Sequence, residues 1–326
     1  MLKTPQFWNK NNGLCFALKP VSWLYTKASN WRESKIHPQK VSVPVICVGN
    51  LVMGGAGKTP TVMALVDILK RQGHTPHILS RGYGSYVKDV VRVDDKRHSY
   101  LHVGDEPLLL SRIAPTWVGT NRVESAKSAI QAGASILVMD DGLQNPSLAK
   151  DYSLIVVDSI QGFGNRNVFP AGPLREPIQQ GFKRAQAVVF IGGAIPLEHT
   201  LSKDIFHAFL ACKPENLPQR VVAFAGLGYP EKFRHTLGRY HFDVCEFIAF
   251  ADHHPYTITD AQRLLKIAEL HEATLITTEK DYMRFPAEYK NMVKTLPIRL
   301  EFKEYNQLAE LLEKKFPITV VEGSSL

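Results

Sequence analysis

Short unbroken apolar runs alternate along the chain with longer segments in which apolar residues recur at helical spacing. The runs read as strands buried on both faces, and the segments between them as helices. In the first half, strands are predicted over 43–48, 75–80, 116–119, 134–139, 154–158 and 187–192, with helices over 61–71, 108–113 and 123–132. In the second half, strands are predicted over 221–225, 246–250, 274–278 and 298–302, with helices over 231–237, 259–271 and 305–315. Such alternation predicts mostly parallel sheets. The punctuated stretch Lys213-Pro214-Glu215-Asn216-Leu217-Pro218 places a boundary between 200 and 220. At 326 residues, two domains are the natural expectation. The predicted fold is α/β: a P-loop NTPase-type, mostly parallel sheet over 41–205, a second, smaller α/β domain over 206–326, and an N-terminal amphipathic segment over 1–40.

One strand-to-helix junction carries chemistry. After the run 43–48 comes Gly49-Asn50-Leu51-Val52-Met53-Gly54-Gly55-Ala56-Gly57-Lys58-Thr59-Pro60. Small residues at Gly54, Gly55, Ala56 and Gly57 let backbone N–H groups close around phosphate oxygens at a helix N-terminus. Lys58 then reaches the outer phosphates, and the Thr59 hydroxyl faces Mg²⁺. The general P-loop pattern has glycine six positions before the lysine, where this chain has Val52. The departure marks an unusual P-loop. A second apolar run ends in Asp140-Asp141-Gly142-Leu143-Gln144-Asn145. An acid at such a strand end holds Mg²⁺ beside the β and γ phosphates, so Asp140 or Asp141 completes the metal shell.

Charge changes the picture only at the N-terminus. Residues 1–40 hold seven Lys/Arg and one Glu, a net of +6, leaving +2 of the total +8 for the other 286 residues. Trp8, Trp23 and Trp31 lie in the same segment, with Phe7, Phe16 and Tyr25. Rings beside lysines suit a bilayer interface carrying anionic lipid. Lys19 and Pro20 interrupt the best apolar stretch, so the segment reads as a peripheral anchor, neither a membrane span nor a signal peptide. A helix packed on the domain with its lysines in water is the plainer alternative. A nucleic-acid arm fits poorly, because the rest of the chain is nearly neutral and lacks a basic stripe, and no nucleic-acid partner is expected. Cys15, Cys47, Cys212 and Cys245 form no Cys-x-x-Cys pair, which excludes a zinc ribbon or disulfide framework and fits a reducing compartment.

Further polar clusters follow predicted strands, where ligands of α/β sheets bind. They are Ser80-Arg81-Gly82-Tyr83-Gly84, Gly104-Asp105-Glu106-Pro107, Thr120-Asn121-Arg122, Asp252-His253-His254 and Thr278-Glu279-Lys280-Asp281. The loop 163–177, with Arg175 and Glu176 near its end, is too long for a simple connector. Arg81, Asn121, Arg122, Gln144 and Arg175 are candidate substrate contacts, and Glu176 a candidate metal contact. These features alone also suit a P-loop ATPase that drives a conformational change in a partner.

Taken in order along the chain, the loop 48–60, 80–84, 104–107, 140–145, 170–177, Phe224-Ala225-Gly226-Leu227-Gly228, 252–254 and 278–281 closely resemble the tetraacyldisaccharide 4'-kinase family, the lipid A 4'-kinases of Gram-negative bacteria. The resemblance implies transfer of the γ-phosphate of ATP, with Mg²⁺, to the 4'-hydroxyl of a lipid A disaccharide 1-phosphate. It also implies a peripheral protein on the cytoplasmic face of the inner membrane. It points to Asp105 as the base that takes the hydroxyl proton, with His253 assisting, and to Lys58 as the phosphate-side catalytic group.

Overall fold

The apolar runs at the centre of each sheet do become strands buried on both faces, and their order explains where the polar clusters gather. A computed structural model describes residues 5–82, 86–87, 89–193, 203–212, 214 and 217–318. Tyr83 and Gly84 of the second polar cluster, and Lys213, Glu215 and Asn216 of the expected boundary, lie outside the described residues. The first part of the chain forms α1 (Gly13–Ser34), β1 (Val45–Gly49), α2 (Lys58–Arg71), β2 (Pro76–Ser80), β3 (Val91–Arg92), α3 (Tyr100–Val103), α4 (Asp105–Ser111), β4 (Thr116–Val118) and α5 (Arg122–Gln131). It continues through β5 (Ile136–Asp140), β6 (Tyr152–Asp158), α6 (Ile178–Arg184), β7 (Ala187–Ile191) and β8 (Asp204–Cys212). The remainder forms β9 (Arg220–Ala225), α7 (Glu231–Arg239), β10 (Asp243–Ala249), α8 (Ile258–Leu270), β11 (Thr274–Thr278), α9 (Glu279–Arg284), β12 (Lys294–Leu296), β13 (Ile298–Phe302) and α10 (Tyr305–Lys315).

A nine-stranded sheet runs β13-β8-β7-β6-β1-β5-β2-β4-β3. Its pairings are parallel except at the two edges, β8 with β13 and β3 with β4. Alternate residues of β1 feed two cores. Ile46 and Val48 pack with Leu65 and Leu69 of α2 and with Leu308 and Leu312 of α10. Val45 and Cys47 pack toward Ala126 of α5 and Phe182 of α6. The smaller sheet, β10-β9-β11-β12, is wholly parallel, with Phe233 and Leu237 of α7 on one face and Leu264 and Ala268 of α8 on the other. A small cluster that includes Leu108, Leu109 and Met283 joins α4 to α9, linking the two units.

The chain departs from the expected division in one respect. The boundary at 205/206 falls inside β8, and β13 returns from the smaller unit to pair antiparallel with β8, Ile298 opposite Cys212 and Phe302 opposite Ala208. α10 then covers the face that α2 also covers. The smaller unit is therefore an insertion, 220–296, in the larger one. β8 is only half buried, and its apolar residues, interrupted by His207, run straight into the punctuated stretch that reads as a boundary.

The N-terminal segment forms a continuous helix through Pro20, capped by the Asn12 side chain, which accepts from the Cys15 N–H at 3.1 Å. Its amphipathicity is inverted. The face against the protein carries Cys15, Leu18, Ser22, Thr26, Ser29 and Glu33, whereas Phe16, Trp23, Leu24 and Trp31 are 59–64% exposed. Lys19, Lys27 and Lys35 lie over the rings of Phe16, Trp23 and Trp31 at 4.4, 5.7 and 3.6 Å. Polar contacts fix the inner face to the loop 163–177 and to α6. Ser22 Oγ donates to the Val168 carbonyl at 2.8 Å and accepts from the Ala171 N–H at 3.1 Å, and Arg184 donates to Glu33 at 3.2 Å. Among the described residues, no helix is long and apolar enough to cross a membrane.

Candidate active site

β1 lies between β5 and β6, and the glycine-rich loop leaves its carboxyl end at a switch in strand order, where open α/β sheets bind ligands. Gly57 caps α2 with φ +87°, a left-handed conformation that a residue bearing Cβ rarely adopts, so α2 starts at Lys58. Thr59 and Pro60 stand in the first turn, where proline's missing N–H costs nothing. Gly49 has a packing role: a Cβ there would sit 2.4 Å from the Leu143 Cβ, so only glycine lets the end of β1 meet the 142–144 turn.

Val52, the position that departs from the general loop, explains itself. It is buried, and it bridges antiparallel to Leu174. Met53 N–H donates to the Pro173 carbonyl and Arg175 N–H to the Leu51 carbonyl, both at 2.8 Å. A short strand-like zipper thus holds the phosphate loop against the loop 163–177, and a β-branched residue suits that job better than glycine.

The zipper delivers Arg175 to the acids. Arg175 Nη1 lies 2.8 and 3.0 Å from the two carboxylate oxygens of Asp141, and Lys58 Nζ lies 3.6 Å from Asp141 Oδ1 and 3.3 Å from Asn50 Oδ1. Asn50, buried between β1 and the loop, is a site residue that sequence reading missed; its place directly after the strand was the available signal. Gln144 links Arg175 to Glu176, accepting from Arg175 at 3.3 Å and donating to Glu176 at 2.9 Å. Glu176 is also paired with Arg184. Glu33, Arg184, Glu176, Gln144, Arg175, Asp141 and Lys58 therefore form one unbroken polar chain from α1 to the phosphate loop.

Asp140 stands apart from that chain. It is 2% exposed, and its Oδ1 has no hydrogen-bond partner. Burial, with Glu106 and Asp141 nearby, pushes its pKa up to about 7 despite Lys58 and Arg122. A buried, unpartnered carboxylate oxygen at a strand end fits a hard cation. Among the described residues, no three His, Cys, Asp or Glu side chains gather as a metal site, so Mg²⁺ here would rely on Asp140, Thr59 and phosphate oxygens. Asp141 and Glu176, expected as further metal contacts, have their carboxylates engaged by Arg175 and Lys58 and by Gln144 and Arg184.

The second half of the site spans the two units. α4 begins at Asp105, earlier than the expected 108, because Gly104 at φ +93° turns the chain into the helix. Asp105 is 4% exposed, its Oδ1 accepts the Glu106 N–H at 2.9 Å, and its Oδ2 lies 3.0 Å from His253 Nδ1. Burial works to raise the Asp105 pKa, but the hydrogen bond from His253 and the charges of Lys280, His253 and Arg284 outweigh it and bring it to about 2. The next residue, Glu106, pairs with Lys280 at 3.0 Å while also acting on Asp140. His254, the alternative to His253, turns to Asp260 at 3.1 Å.

The candidate substrate contacts separate. Arg81 is exposed at the end of β2. Asn121 is the cap of α5, accepting from the Val123 and Glu124 N–H groups at 3.0 and 3.3 Å. Arg122, 3% exposed, donates to the Ser80 and Gly119 carbonyls at 2.9 and 2.6 Å, tying β2 to β4 beside Asp140. Gln144 and Arg175 belong to the polar chain.

Comparison with known proteins agrees with this geometry. A family model described as Tetraacyldisaccharide-1-P 4'-kinase matches residues 14–317. A protein of Rhodospirillum centenum named tetraacyldisaccharide 4'-kinase is 44% identical over 323 residues, covering 95% of this chain and 96% of its own. Its namesake in Paramagnetospirillum magneticum is 43% identical over 320 residues, covering 96% and 98%. A crystal structure of LpxK from Aquifex aeolicus, described as an "apo" form in complex with ATP, superposes with a TM-score of 0.77 at 28% identity, covering 93% of this chain and 99% of that one. With matches running from α1 to α10, the chain belongs to the tetraacyldisaccharide-1-P 4'-kinase family.

Proposed function

We infer that the protein is an ATP-dependent kinase that moves the γ-phosphate to the 4'-hydroxyl of a tetraacylated disaccharide 1-phosphate, a step of lipid A biosynthesis. The observation that carries the reading is a pair of buried acids: Asp105, whose Oδ2 meets His253 Nδ1 at 3.0 Å, and Asp140, whose Oδ1 is left without a partner at the end of the strand beside the one that feeds the phosphate loop. A proton acceptor and a phosphate cradle with a place for a cation are the parts that phosphoryl transfer to a hydroxyl requires.

In this reading Gly54, Gly55, Ala56 and Gly57 cradle phosphate with backbone N–H groups, and Lys58 neutralises charge on the transferred group. Mg²⁺, when bound through Thr59 and Asp140, supplies further charge neutralisation at the phosphates. Asp105 and His253 act as a unit: the carboxylate stays ionised, orients the imidazole, and the pair accepts the hydroxyl proton. Asp141, released from Lys58 by a competing phosphate, keeps Arg175 facing the cleft, and Arg81 stands free at its rim for an anionic substrate group.

The outward aromatic face of α1 and its ring-stacked lysines support docking on an anionic bilayer surface, the cytoplasmic face of the inner membrane, where ATP and the lipid acceptor meet. The test is to incubate the protein with γ-labelled ATP, Mg²⁺ and detergent-dispersed disaccharide 1-phosphate, with Lys58→Ala as control. Label in the lipid at the 4'-position is the expected result. Phosphate release that ignores the acceptor would instead identify an ATPase.

A further inference from the structure

Arg284, the last residue of α9, is 2% exposed and carries a charge that the phosphate side of the site does not use. Its Nη2 donates to the Gly226 carbonyl at 3.0 Å and to Asp281 Oδ1, and its Nη1 donates to the His254 carbonyl at 3.4 Å. Its Nε has no hydrogen bond and lies 3.3 Å from Asp105 Oδ2 as an ion contact. The Gly226 carbonyl also takes the His253 N–H, at 3.1 Å. One planar group thus touches the carboxylate of the pair, the carbonyl that accepts the His253 N–H, and the carbonyl of the next residue.

We propose that Arg284 is a positioning residue for phosphoryl transfer: its guanidinium sets Asp105 and His253 against each other across the two units. The proposal rests on the reading of that pair as proton acceptor. His253 has φ +55°, a left-handed backbone that a histidine keeps only where its surroundings over-determine it. Its N–H is held by the Gly226 carbonyl, and Arg284 holds that carbonyl and the carbonyl of His254, so the guanidinium brackets the His253 backbone on both sides. Asp281 seats the guanidinium in turn, its Oδ1 accepting from the Gly226 N–H at 3.0 Å and the Tyr256 hydroxyl at 2.9 Å, its Oδ2 from Thr278 at 2.6 Å. Acceptors in several directions need the fixed fork of arginine; the compact ammonium of lysine cannot reach them together.

A double-mutant cycle on the full chain tests this, with label transfer from γ-labelled ATP to detergent-dispersed disaccharide 1-phosphate as the assay. Arg284→Lys alone should lower kcat by at least about tenfold with the KM for ATP nearly unchanged, and Asp105→Asn alone by about 10²-fold. In the Asp105→Asn background, Arg284→Lys should cost nothing further, because its effect passes through the carboxylate. An arginine with a merely structural role would lower kcat equally in both backgrounds, and that result overturns the proposal, as does an unchanged kcat in the single variant. Unchanged kcat in Asp105→Asn would instead overturn the reading of the pair itself. Asp281→Asn, isosteric and loosening the same seat, is the second arm should Arg284→Lys fail to fold. It too should lower kcat in the wild-type background and add nothing to Asp105→Asn; equal losses in both backgrounds would again reject positioning.

Discussion

Lys58, Asn50, Asp140, Asp141 and Arg175 stand at the ends of neighbouring strands of one sheet or on the loop zipped to them, whereas Asp105 and His253 meet across two units with separate cores. The phosphate side is therefore assembled whenever the large unit folds. The proton side exists only when the insertion 220–296 sits against α4, through the small cluster that includes Met283 and through Arg284. On the proposed reading of Asp105 and His253, binding of nucleotide and delivery of a proton acceptor are separable, the first local and the second dependent on how the units meet.

The difference can be broken at several points. Lys58→Ala should have the largest effect, a loss of turnover on the order of 10³-fold with weakened nucleotide binding, since it removes a charge used at the transferred phosphate. Equilibrium binding of ATP alongside kcat checks both. Asp105→Ala should cost about 10²-fold or more in kcat and leave ATP binding intact. Weakened ATP binding in that variant would show that the two sides are not separable. Replacing Trp23 and Trp31 together by serine should lower co-sedimentation with anionic vesicles by about tenfold while kcat on detergent-dispersed acceptor stays unchanged, because both rings face away from the protein. Equal sedimentation of the variant and the parent would remove α1 from the docking role. Val52→Gly should be the mildest, costing about 1–3 kcal/mol of stability by thermal unfolding, from a lost buried side chain and a looser zipper. A matching fall in nucleotide affinity would show that the zipper also shapes the cradle.

The two sides were not equally legible in sequence. Glycines, Lys58 and Thr59 follow one another along the chain, and Asp140 ends a continuous apolar run, so local pattern singles out these residues of the phosphate side, though not Asn50, and nearly every central strand. The pairing of Asp105 with His253 joins positions 148 residues apart and was reached through resemblance to a family, not from spacing. Arg284 was not singled out at all, because a lone arginine at a helix end looks the same whether it faces water or a carboxylate. Half-buried β8 hid because it runs directly into the proline-punctuated stretch 213–218 and so reads as part of the boundary, and with it went the return of β13 and α10 to the large sheet. Asn121, expected as a substrate contact, caps α5, because a polar residue between strand and helix serves capping as readily as ligand binding.

The inverted face of α1 has a consequence for how the protein behaves once extracted. Folding hides the polar stripe of that helix and leaves Leu14, Phe16, Trp23, Leu24 and Trp31 in contact with solvent. In plain buffer such a stripe should be drawn out of water against its copies, so that particle size is expected to rise with protein concentration. An amphiphile competes for the same surface. Detergent above its micelle threshold should therefore collapse the size distribution to single chains, and its dilution should restore the larger species.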